Sequence, residues 1–401
     1  MPAWRQRESE RPLKPVRFKP APGTGEARRF PCEQCGALVT FEPGSNELVC
    51  EYCDHRTPID RAEGLIQEYD LKEALSWLAK AGPAEERPST QCESCAAEFD
   101  FDRHVHSGEC PFCGTPIVVG TGNSKHIKPR SLLPFKITES QAQARFEAWL
   151  KGLWFAPSKI KQHARKEAAL SGVYVPFWTY DSQTNTQYVG ERGDAYMVPQ
   201  SYTSIENGKR VRRTRMVRKV RWRPVRGRVR RFFDDVLVGA TRSLPRKITD
   251  SLLPWDLENL TPYNEKYLSG FTSEVYQVDV DQGFDVAVNT MNRIIRDDIA
   301  RDIGGDHQRI HNADTRHSST TFKHVLLPVW SAGFRFGDKT YRFVVNARTG
   351  KVRGERPYSI WKIAFTVVAA IAVAIVVMAV ADESGALDRL LNNVDFSTIG
   401  W

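Results

Sequence analysis

The sequence Cys32-Glu33-Gln34-Cys35 is followed, after residues 36–49, by a second pair of cysteines in Cys50-Glu51-Tyr52-Cys53. The arrangement recurs with an offset of 60 residues in Cys92-Glu93-Ser94-Cys95 and Cys110-Pro111-Phe112-Cys113. A C-x-x-C pair places two sulfurs on one side of a tight turn, and two such pairs complete a tetrahedral site of four thiolates. The chain is therefore predicted to contain two zinc ribbons, which are small β folds stabilised by their metal.

The predicted cofactor is zinc, with two ions per chain. A glycine directly follows the second cysteine of a pair at Gly36 and at Gly114, where a residue without a Cβ lets the backbone turn its N–H groups toward the thiolates. Disulfides and a redox C-x-x-C motif are the alternatives, although a redox motif is not expected as two matched copies. The predicted metal ligands are Cys32, Cys35, Cys50 and Cys53 of ribbon 1 and Cys92, Cys95, Cys110 and Cys113 of ribbon 2.

The positive charge of the chain is concentrated in one segment. The 401 residues carry a net charge of +9, and Lys209–Arg231 contains 13 Lys or Arg and no acidic residue, which leaves −4 for the remainder (9 − 13). In Val220–Arg223 and Arg228–Arg230 the charges alternate with apolar residues, which predicts a β-strand with its arginines on one face. Anionic lipid, an acidic protein surface and nucleic acid are the candidate partners, and a solvated face without a partner is the alternative. The predicted anion-binding residues are Arg213, Arg215, Arg218, Arg221, Arg223, Arg226, Arg228 and Arg230.

An apolar run near the C-terminus predicts a membrane span. Ile363–Ala381 is interrupted only by Thr366, and its 19 residues extend about 28 Å as a helix, close to the roughly 30 Å of a bilayer core. Four Lys or Arg residues lie within 351–362, and Asp382 and Glu383 follow the run, so the positive-inside rule predicts a cytoplasmic N-terminus and an outside C-terminus. A buried core helix is the alternative.

The predicted location agrees with the predicted metal chemistry. Residues 1–30 contain no apolar stretch, so no signal peptide is expected. With residues 1–358 in the cytoplasm, the thiols stay reduced, which favours metal ligation over disulfides.

The predicted fold class is α+β, with two small metal-stabilised β ribbons and one C-terminal transmembrane helix. The predicted organisation is a disordered basic arm (1–30), ribbon 1 (31–58), a helical linker (59–89), ribbon 2 (90–118), an α+β cytosolic region with Arg-rich strands (131–356), the transmembrane helix (360–381) and a short extracytoplasmic tail (382–401).

Local signals place several elements in the α+β region. Thr138–Gln141 is a capping box that starts a helix, and Asn207-Gly208 is typical of a hairpin turn between two strands. Apolar residues at helical spacing within Phe284–Ile299 predict a second helix, which Gly304-Gly305 ends. A final hairpin is predicted from about residue 341 to residue 353.

Two short similarities suggest that the α+β region is duplicated. Ser131–Phe135 resembles Ser251–Trp255, and Val175–Trp178 resembles Leu327–Trp330. Each copy would consist of an apolar turn, a helix and a strand entered through Pro-x-Trp. Chance similarity of strand edges is the alternative.

The ribbons are acidic. Residues 32–56 and residues 92–115 each contain five acidic side chains and one arginine, and a zinc ion with four thiolates adds a further −2. Phosphate groups repel a surface of this sign. The ribbons are therefore expected to bind a basic protein partner or the Arg-rich face of the same chain rather than nucleic acid.

The sequence contains no recognisable catalytic motif. Gly208-Lys209 and Gly350-Lys351 lack both the upstream glycine and the Ser or Thr of a phosphate-binding loop. His307 and His311 have metal-ligand spacing but lack the glutamate of a metalloprotease. The acidic pair Asp234-Asp235 lies beside arginines and is expected to form ion pairs. No enzymatic activity is predicted.

Beyond the cysteine pairs, four segments carry a family resemblance: Phe233–Val238, Arg301–Asp306, Leu327–Trp330 and Gly350–Ser359. With them the chain resembles bacterial membrane-anchored tandem zinc-ribbon proteins, which often bear the label primosomal protein N′ (replication factor Y), a superfamily II helicase. The helicase motifs are missing, so helicase activity is not expected. The resemblance implies a scaffold in the bacterial inner membrane, associated with SPFH (flotillin-like) or phage-shock-type proteins.

Together these observations predict a non-enzymatic, membrane-anchored zinc-binding scaffold that docks protein partners at the cytoplasmic face of the membrane. The alternative function is a membrane-tethered nucleic-acid-binding protein linked to DNA replication.

Overall fold

The structure is a computed structural model. It describes residues 30–37, 39–60, 66–80, 90–91, 97–99, 107–109, 112, 116–118, 127–157, 170–206, 209–274, 276–336, 339–355 and 359–383. The predictions for the N-terminal arm, for the four cysteines of ribbon 2 and for the tail after residue 383 lie outside the described residues.

Ribbon 1 is a three-stranded antiparallel sheet made of β1 (Val39–Phe41), β2 (Glu47–Cys50) and β3 (Arg56–Pro58). Its inner side chains pack on the rest of the chain, since the Phe41 ring lies 5.2 Å from the Tyr267 ring and the Phe41 amide donates to the Ser269 carbonyl. In the region of ribbon 2, the described strands are β5 (Thr90–Gln91), β6 (Glu98–Phe99), β7 (Ser107–Glu109) and β8 (Pro116–Val118).

One large sheet dominates the described chain. Three of its strands are unusually long, with 30 to 36 residues each. In spatial order the main strands are β11 (Lys209–Gly239), β10 (Ser171–Glu206), β14 (His307–Phe336), β15 (Lys339–Asn346) and β16 (Val352–Gly354), all antiparallel. Short strands β4 (Tyr69–Asp70), β9 (Ser131–Leu132), β12 (Thr261–Pro262) and β13 (Thr272–Ser273) pair at its margins.

The described residues form five α-helices. One of them starts where the sequence predicted, and another ends where the sequence predicted. Thr138 forms the capping box, and Gly304, with a φ of 66°, ends the long fourth helix. The predicted helical linker is more than a linker, because Tyr69 joins the main sheet and Leu71 is buried in its core. The helices are α1 (Leu71–Lys80), α2 (Glu139–Gly152), α3 (Arg246–Ser251), α4 (Val280–Ile303) and α5 (Ile360–Glu383).

The α+β region has an approximate two-fold arrangement about the β10–β14 pair. The Trp178 Nε1 donates to the Val278 carbonyl, two residues before α4, at 2.8 Å. The Trp330 Nε1 donates to the Ile137 carbonyl, two residues before α2, also at 2.8 Å. Each tryptophan thus fixes the entry of the helix that belongs to the other half.

Backbone hydrogen bonds repeat this relation at the ends of β11 and β15. The amide of Ala240 donates to the Pro176 carbonyl, and the amide of Ala347 donates to the Pro328 carbonyl. The Ala240 carbonyl accepts from the amides of residues 277 and 278, while the Ala347 carbonyl accepts from those of residues 136 and 137. In both halves the strands contact the start of the helix that belongs to the other half. This repeated arrangement is expected of a duplicated unit.

These contacts support the duplication hypothesis, but they align the two halves differently from the sequence. Val175–Trp178 and Leu327–Trp330 are equivalent, as the sequence suggested. The segment equivalent to Phe135–Thr138 is Tyr276–Asp279 rather than Ser251–Trp255, because Tyr276 packs on Trp178 (4.9 Å) as Phe135 packs on Trp330 (5.1 Å). The similarity of Ser251–Trp255 to Ser131–Phe135 is only apparent.

Both long helices pack on one face of the sheet. Alternate residues of β10 such as Tyr174, Trp178 and Tyr180 face α2 and α4 and are fully buried. The residues between them, such as Val173 and Val175, pack on the opposite face in a second core that includes Leu252. Strict alternation on β10 therefore builds a core on both sides of the central strands.

A glycine marks the point where β10 and β14 shift register. The shift lies between Val189 and Gly190, and a Cβ at Gly190 would stand 2.3 Å from the backbone oxygen of Arg309. Because a paired backbone has little freedom to move, Gly190→Ala is expected to lower the free energy of unfolding by about 2–3 kcal/mol. Gly152→Ala is the matched control, since a Cβ there meets nothing within 4 Å. Thermal unfolding in detergent measures both, and equal melting temperatures would contradict the expectation.

Candidate metal centre and basic hairpin

The four cysteines of ribbon 1 converge on one point. The Sγ atoms of Cys32 and Cys53 are 3.6 Å apart, those of Cys35 and Cys50 are 3.5 Å apart, and all four sulfurs lie within 4.8 Å of one another. A tetrahedral ion with metal–sulfur bonds of 2.3 Å requires sulfurs about 3.8 Å apart. Disulfide bonds, at about 2.05 Å, would be far shorter. Cys32, Cys35, Cys50 and Cys53 are therefore close enough to bind one metal ion.

Matching backbone turns hold the two halves of this site. The Cys32 amide donates to the Ala37 carbonyl and the Gly36 amide to the Cys32 carbonyl; the Cys50 amide donates to the His55 carbonyl and the Asp54 amide to the Cys50 carbonyl. Gly36 has a φ of 74° and Asp54 a φ of 53°. Asp54 therefore occupies the position of Gly36 in the second turn, and aspartate is among the few residues that tolerate this conformation.

Backbone amides favour the thiolates, whereas neighbouring sulfurs and burial raise the thiol pKa of Cys35 and Cys53 above the ordinary value. Hydrogen bonds from the amides of Cys35 and Gln34 lower the pKa of the Cys32 thiol to about 6. Cys32 and Cys50 are buried, and Cys35 lies at the surface. A site with four protein ligands leaves no open coordination position, so an ion bound here has a structural role.

Among the described residues, no ion pair joins the acidic surface of ribbon 1 to the Arg-rich strands. Arg56, its own arginine, pairs with Glu42 and Glu47. In the described residues the ribbon packs instead through Phe41 against Tyr267 and Phe271. Tyr52, between the two ligands of the second turn, is 89% exposed and remains available to another molecule.

The Arg-rich segment forms most of β11, as the alternation predicted. Beyond Gly193, the last partner of β14, strands β10 and β11 continue as a two-stranded ribbon. We call Asp194–Glu206 together with Lys209–Arg221 the basic hairpin. Its 13 residue pairs extend about 40 Å. It contains eight Lys or Arg and two acidic residues.

The prediction that the arginines share one face is wrong. Residues on the side of Val225 and Val229 face α4, and the residues between them point the other way. The alternation of arginines changes phase more than once along the strand, at Arg215–Arg218, before Arg221 and at Arg223–Arg226, without a bulge, so that the arginines lie on both faces. Arg213, Arg215, Arg221 and Arg223 lie on the α4 side, and Arg218, Arg226, Arg228 and Arg230 lie on the other side.

Aromatic and acidic residues hold part of this charge in place. The Arg221 guanidinium lies 5.1 Å from the Tyr196 ring centroid and that of Arg215 lies 5.6 Å from Tyr202. Arg218 approaches Asp306 only to 3.9 Å, and 60% of its side chain is exposed. These contacts order the basic side chains without neutralising the hairpin.

A buried ionic network also lies on the sheet, and sequence reasoning missed it. The Lys323 Nζ is 2.7 Å from Asp235 Oδ1 and 2.9 Å from Glu68 Oε1. Asp181, opposite a register shift, accepts from the Asp235 amide at 2.7 Å. Burial is the main cause that raises the pKa of Asp181 to about 9. Burial opposes the charge of Lys323, but the carboxylates of Asp235 and Glu68 raise its pKa above the ordinary value.

The same network explains the acidic pair noted in the sequence. Asp235 is an ion-pair partner of Lys323, as expected for that pair, although the partner is a lysine and not a neighbouring arginine. Asp181, Asp234 and Asp235 bring three carboxylates within 4.8 Å. His311 lies 3.7 Å from Glu191 on the exposed sheet, and it shares no site with His307 in the described residues.

The predicted membrane segment is a single helix, α5. Its window Trp361–Ala379 has a mean hydropathy of 2.5, and none of it is buried against the rest of the chain. Its first turn contacts the turn after α2, where the Lys362 Nζ donates to the Ala156 carbonyl at 2.8 Å. The helix is long and apolar enough to cross a membrane.

The chain is similar to one Bacillus subtilis (strain 168) protein, called "Uncharacterized protein YdjG". The two are 24% identical over 344 residues, which cover 84% of this chain and 92% of that protein. No protein-family profile matches the chain. No solved structure matches it either. The comparisons therefore show a distant bacterial relative and no specific family.

Proposed function

We propose that the chain is a non-enzymatic, membrane-anchored scaffold, with zinc in both ribbons, and that the basic hairpin is its main partner-binding element. The observation that carries this proposal is the placement of the hairpin and of α5. The helix is attached to the turn that follows α2, which itself packs on β15, whereas the hairpin continues β10 beyond Gly193. The Glu206 end of β10 lies 35 residues (206 − 171), or up to about 115 Å, along the strand from Ser171.

The comparison of the two halves shows that the basic hairpin is an extension of the first half. In the first half, β10 continues for 28 residues beyond Trp178 (206 − 178). In the second half, β14 continues for only 6 residues beyond the equivalent Trp330 (336 − 330). A structural core needs no such extension, so its cationic surface suits a separate binding role.

The charges on both faces of the hairpin disfavour a flat bilayer as its partner, because a plane contacts one face at a time. We propose a protein with an acidic surface, for which the family resemblance suggests SPFH (flotillin-like) or phage-shock-type proteins. The acidic ribbon turn around Tyr52 is a second docking surface, suited to a basic protein segment. The basic residues before α5 favour a cytoplasmic location for these surfaces, and we propose that the protein lies in a bacterial inner membrane.

Nucleic acid is a second candidate partner, and the same two-faced charge favours it. A two-stranded β ribbon fits the major groove of duplex DNA, where phosphates flank it on both sides. Contacts of this kind produce a steep loss of affinity with salt. The function would then be that of a membrane-tethered nucleic-acid-binding protein.

Photo-crosslinking from the hairpin tests the proposal. Met216 is 56% exposed and shares a face with Arg212 and Arg218. A photoreactive amino acid at this position, in the full chain in its own membranes, is expected to give protein adducts. The double variant Arg212→Glu/Arg218→Glu is expected to reduce their yield at least about tenfold, because it reverses charge on that face.

Arg246→Glu/Lys247→Glu is the matched control, since both residues are exposed on α3, outside the hairpin. It is expected to leave the adducts unchanged. If nuclease destroys the adducts and the purified chain binds duplex DNA in a salt-sensitive way, the partner of the hairpin is nucleic acid and not a protein. Equal yields from all variants would overturn the role of the hairpin.

A further inference from the structure

The turn that follows α2 carries two exposed aromatic side chains. Trp154 is 76% exposed and Phe155 is 36% exposed, while the next residue, Ala156, is 2% exposed. Backbone hydrogen bonds close the turn, from the Trp154 amide to the Gly152 carbonyl and from the Ala156 amide to the Leu153 carbonyl. The two rings are thus held outward on an ordered turn, at a cost in exposed apolar surface.

This turn is attached directly to the start of α5. The Ser359 amide donates to the Phe155 carbonyl at 2.8 Å. The Lys362 Nζ donates to the Ala156 carbonyl at 2.8 Å and to the Trp154 carbonyl at 3.4 Å. The Lys362 side chain therefore binds the turn, and the turn moves with the first residues of the helix.

The first turn of α5 has the composition of a membrane interface. Trp361 is 86% exposed and Phe365, one turn later, is 76% exposed, both at the start of the long apolar window Trp361–Ala379. Tryptophan is enriched at the level of the lipid head groups, because its ring is apolar and its N–H is polar. A segment fixed to this turn of the helix lies at the same level of the bilayer.

We propose that Trp154 and Phe155 are a second membrane-contact point, which inserts into the head-group boundary beside α5. The proposal rests on the membrane anchor of the proposed function and adds a contact that the helix alone does not provide. A single helix leaves the attached sheet free to tilt, whereas two contact points restrict its orientation. The contact therefore sets the direction in which the basic hairpin projects.

Quenching of tryptophan fluorescence by brominated lipid tests this inference. The full chain is reconstituted into vesicles of phosphatidylcholine and phosphatidylglycerol that carry bromine near the head-group end of the acyl chains. Trp154→Tyr is expected to remove a quenched component about as large as the one that Trp361→Tyr removes. Trp222→Tyr is the control, because Trp222 lies in the sheet beside His307, at the end of β14 far from α5.

The three variants separate the possible failures. If Trp361→Tyr reduces quenching and Trp154→Tyr does not, the second contact is refuted and the anchor stands; a Trp154 covered by a second copy or by another protein gives this result. If neither substitution changes quenching, the anchor itself is refuted. Because Trp154 is mostly exposed, its substitution is expected to leave the melting temperature unchanged, which verifies folding.

Discussion

Cys50→Ser is expected to lower the metal content of the purified chain by one ion, from the proposed two zinc ions to one. Cys50 is fully buried and supplies one of the four sulfurs of the ribbon 1 site. Structural zinc sites contribute on the order of 10–16 kcal/mol to the folding of small domains, so loss of one thiolate is expected to unfold the ribbon. Elemental analysis measures the ion, and limited proteolysis near Arg56 reports the unfolding.

Tyr52→Ala is the matched control for this experiment. Tyr52 lies between the ligands Cys50 and Cys53 but is 89% exposed, so its loss is expected to keep the metal. Cys110→Ser in ribbon 2 is expected to remove one ion as well, and the double variant Cys50→Ser/Cys110→Ser both ions. A Cys50→Ser protein with its full metal content would refute the site, and a wild-type chain with fewer than two zinc ions would refute the double-ribbon prediction.

Sequence reasoning succeeded where the chemistry is local. The spacing of Cys32, Cys35, Cys50 and Cys53 is enough to predict a common site, because each pair is fixed by one tight turn. The equivalence of Asp54 to Gly36 was missed, because an aspartate indicates a positive φ less clearly than a glycine does. The apolar run of α5 was equally accessible, because length and composition suffice to recognise it.

Sequence reasoning failed where distant residues decide the structure. Alternation identified the strand character of Lys209–Arg231, but only the pairing with β10 shows that its arginines lie on two faces. The ionic network joins Glu68 to Lys323, which are separated by 255 residues (323 − 68), and no pattern in one sequence connects them. The duplication was misaligned for the same reason, because helices exchanged between halves are recognised only from their contacts.

Asp181→Asn is expected to stabilise the chain above about pH 5, and by about 2 kcal/mol or more at pH 8. Burial raises the pKa of Asp181 to about 9 in the folded state, against about 3.9 in an unfolded chain. Between these values the folded state binds more protons than the unfolded state, so the free energy of unfolding falls as the pH rises, by up to about 1.4 kcal/mol per pH unit. Asparagine resembles the protonated carboxyl group and does not titrate, so the gain grows from about pH 4 to pH 9.

Thermal unfolding of the detergent-solubilised full chain, at several pH values from about 5 to 9, measures this gain. Asparagine keeps an oxygen that accepts from the Asp235 amide, whereas Asp181→Ala removes the acceptor and is expected to be less stable than Asp181→Asn by about 1–3 kcal/mol at every pH. If Asp181 were instead ionised and paired with Lys323, Asp181→Asn would remove a favourable charge and lower the melting temperature at neutral pH. The sign of the change at pH 8 therefore decides which protonation state the buried network holds, and a difference independent of pH would show that Asp181 does not titrate in this range.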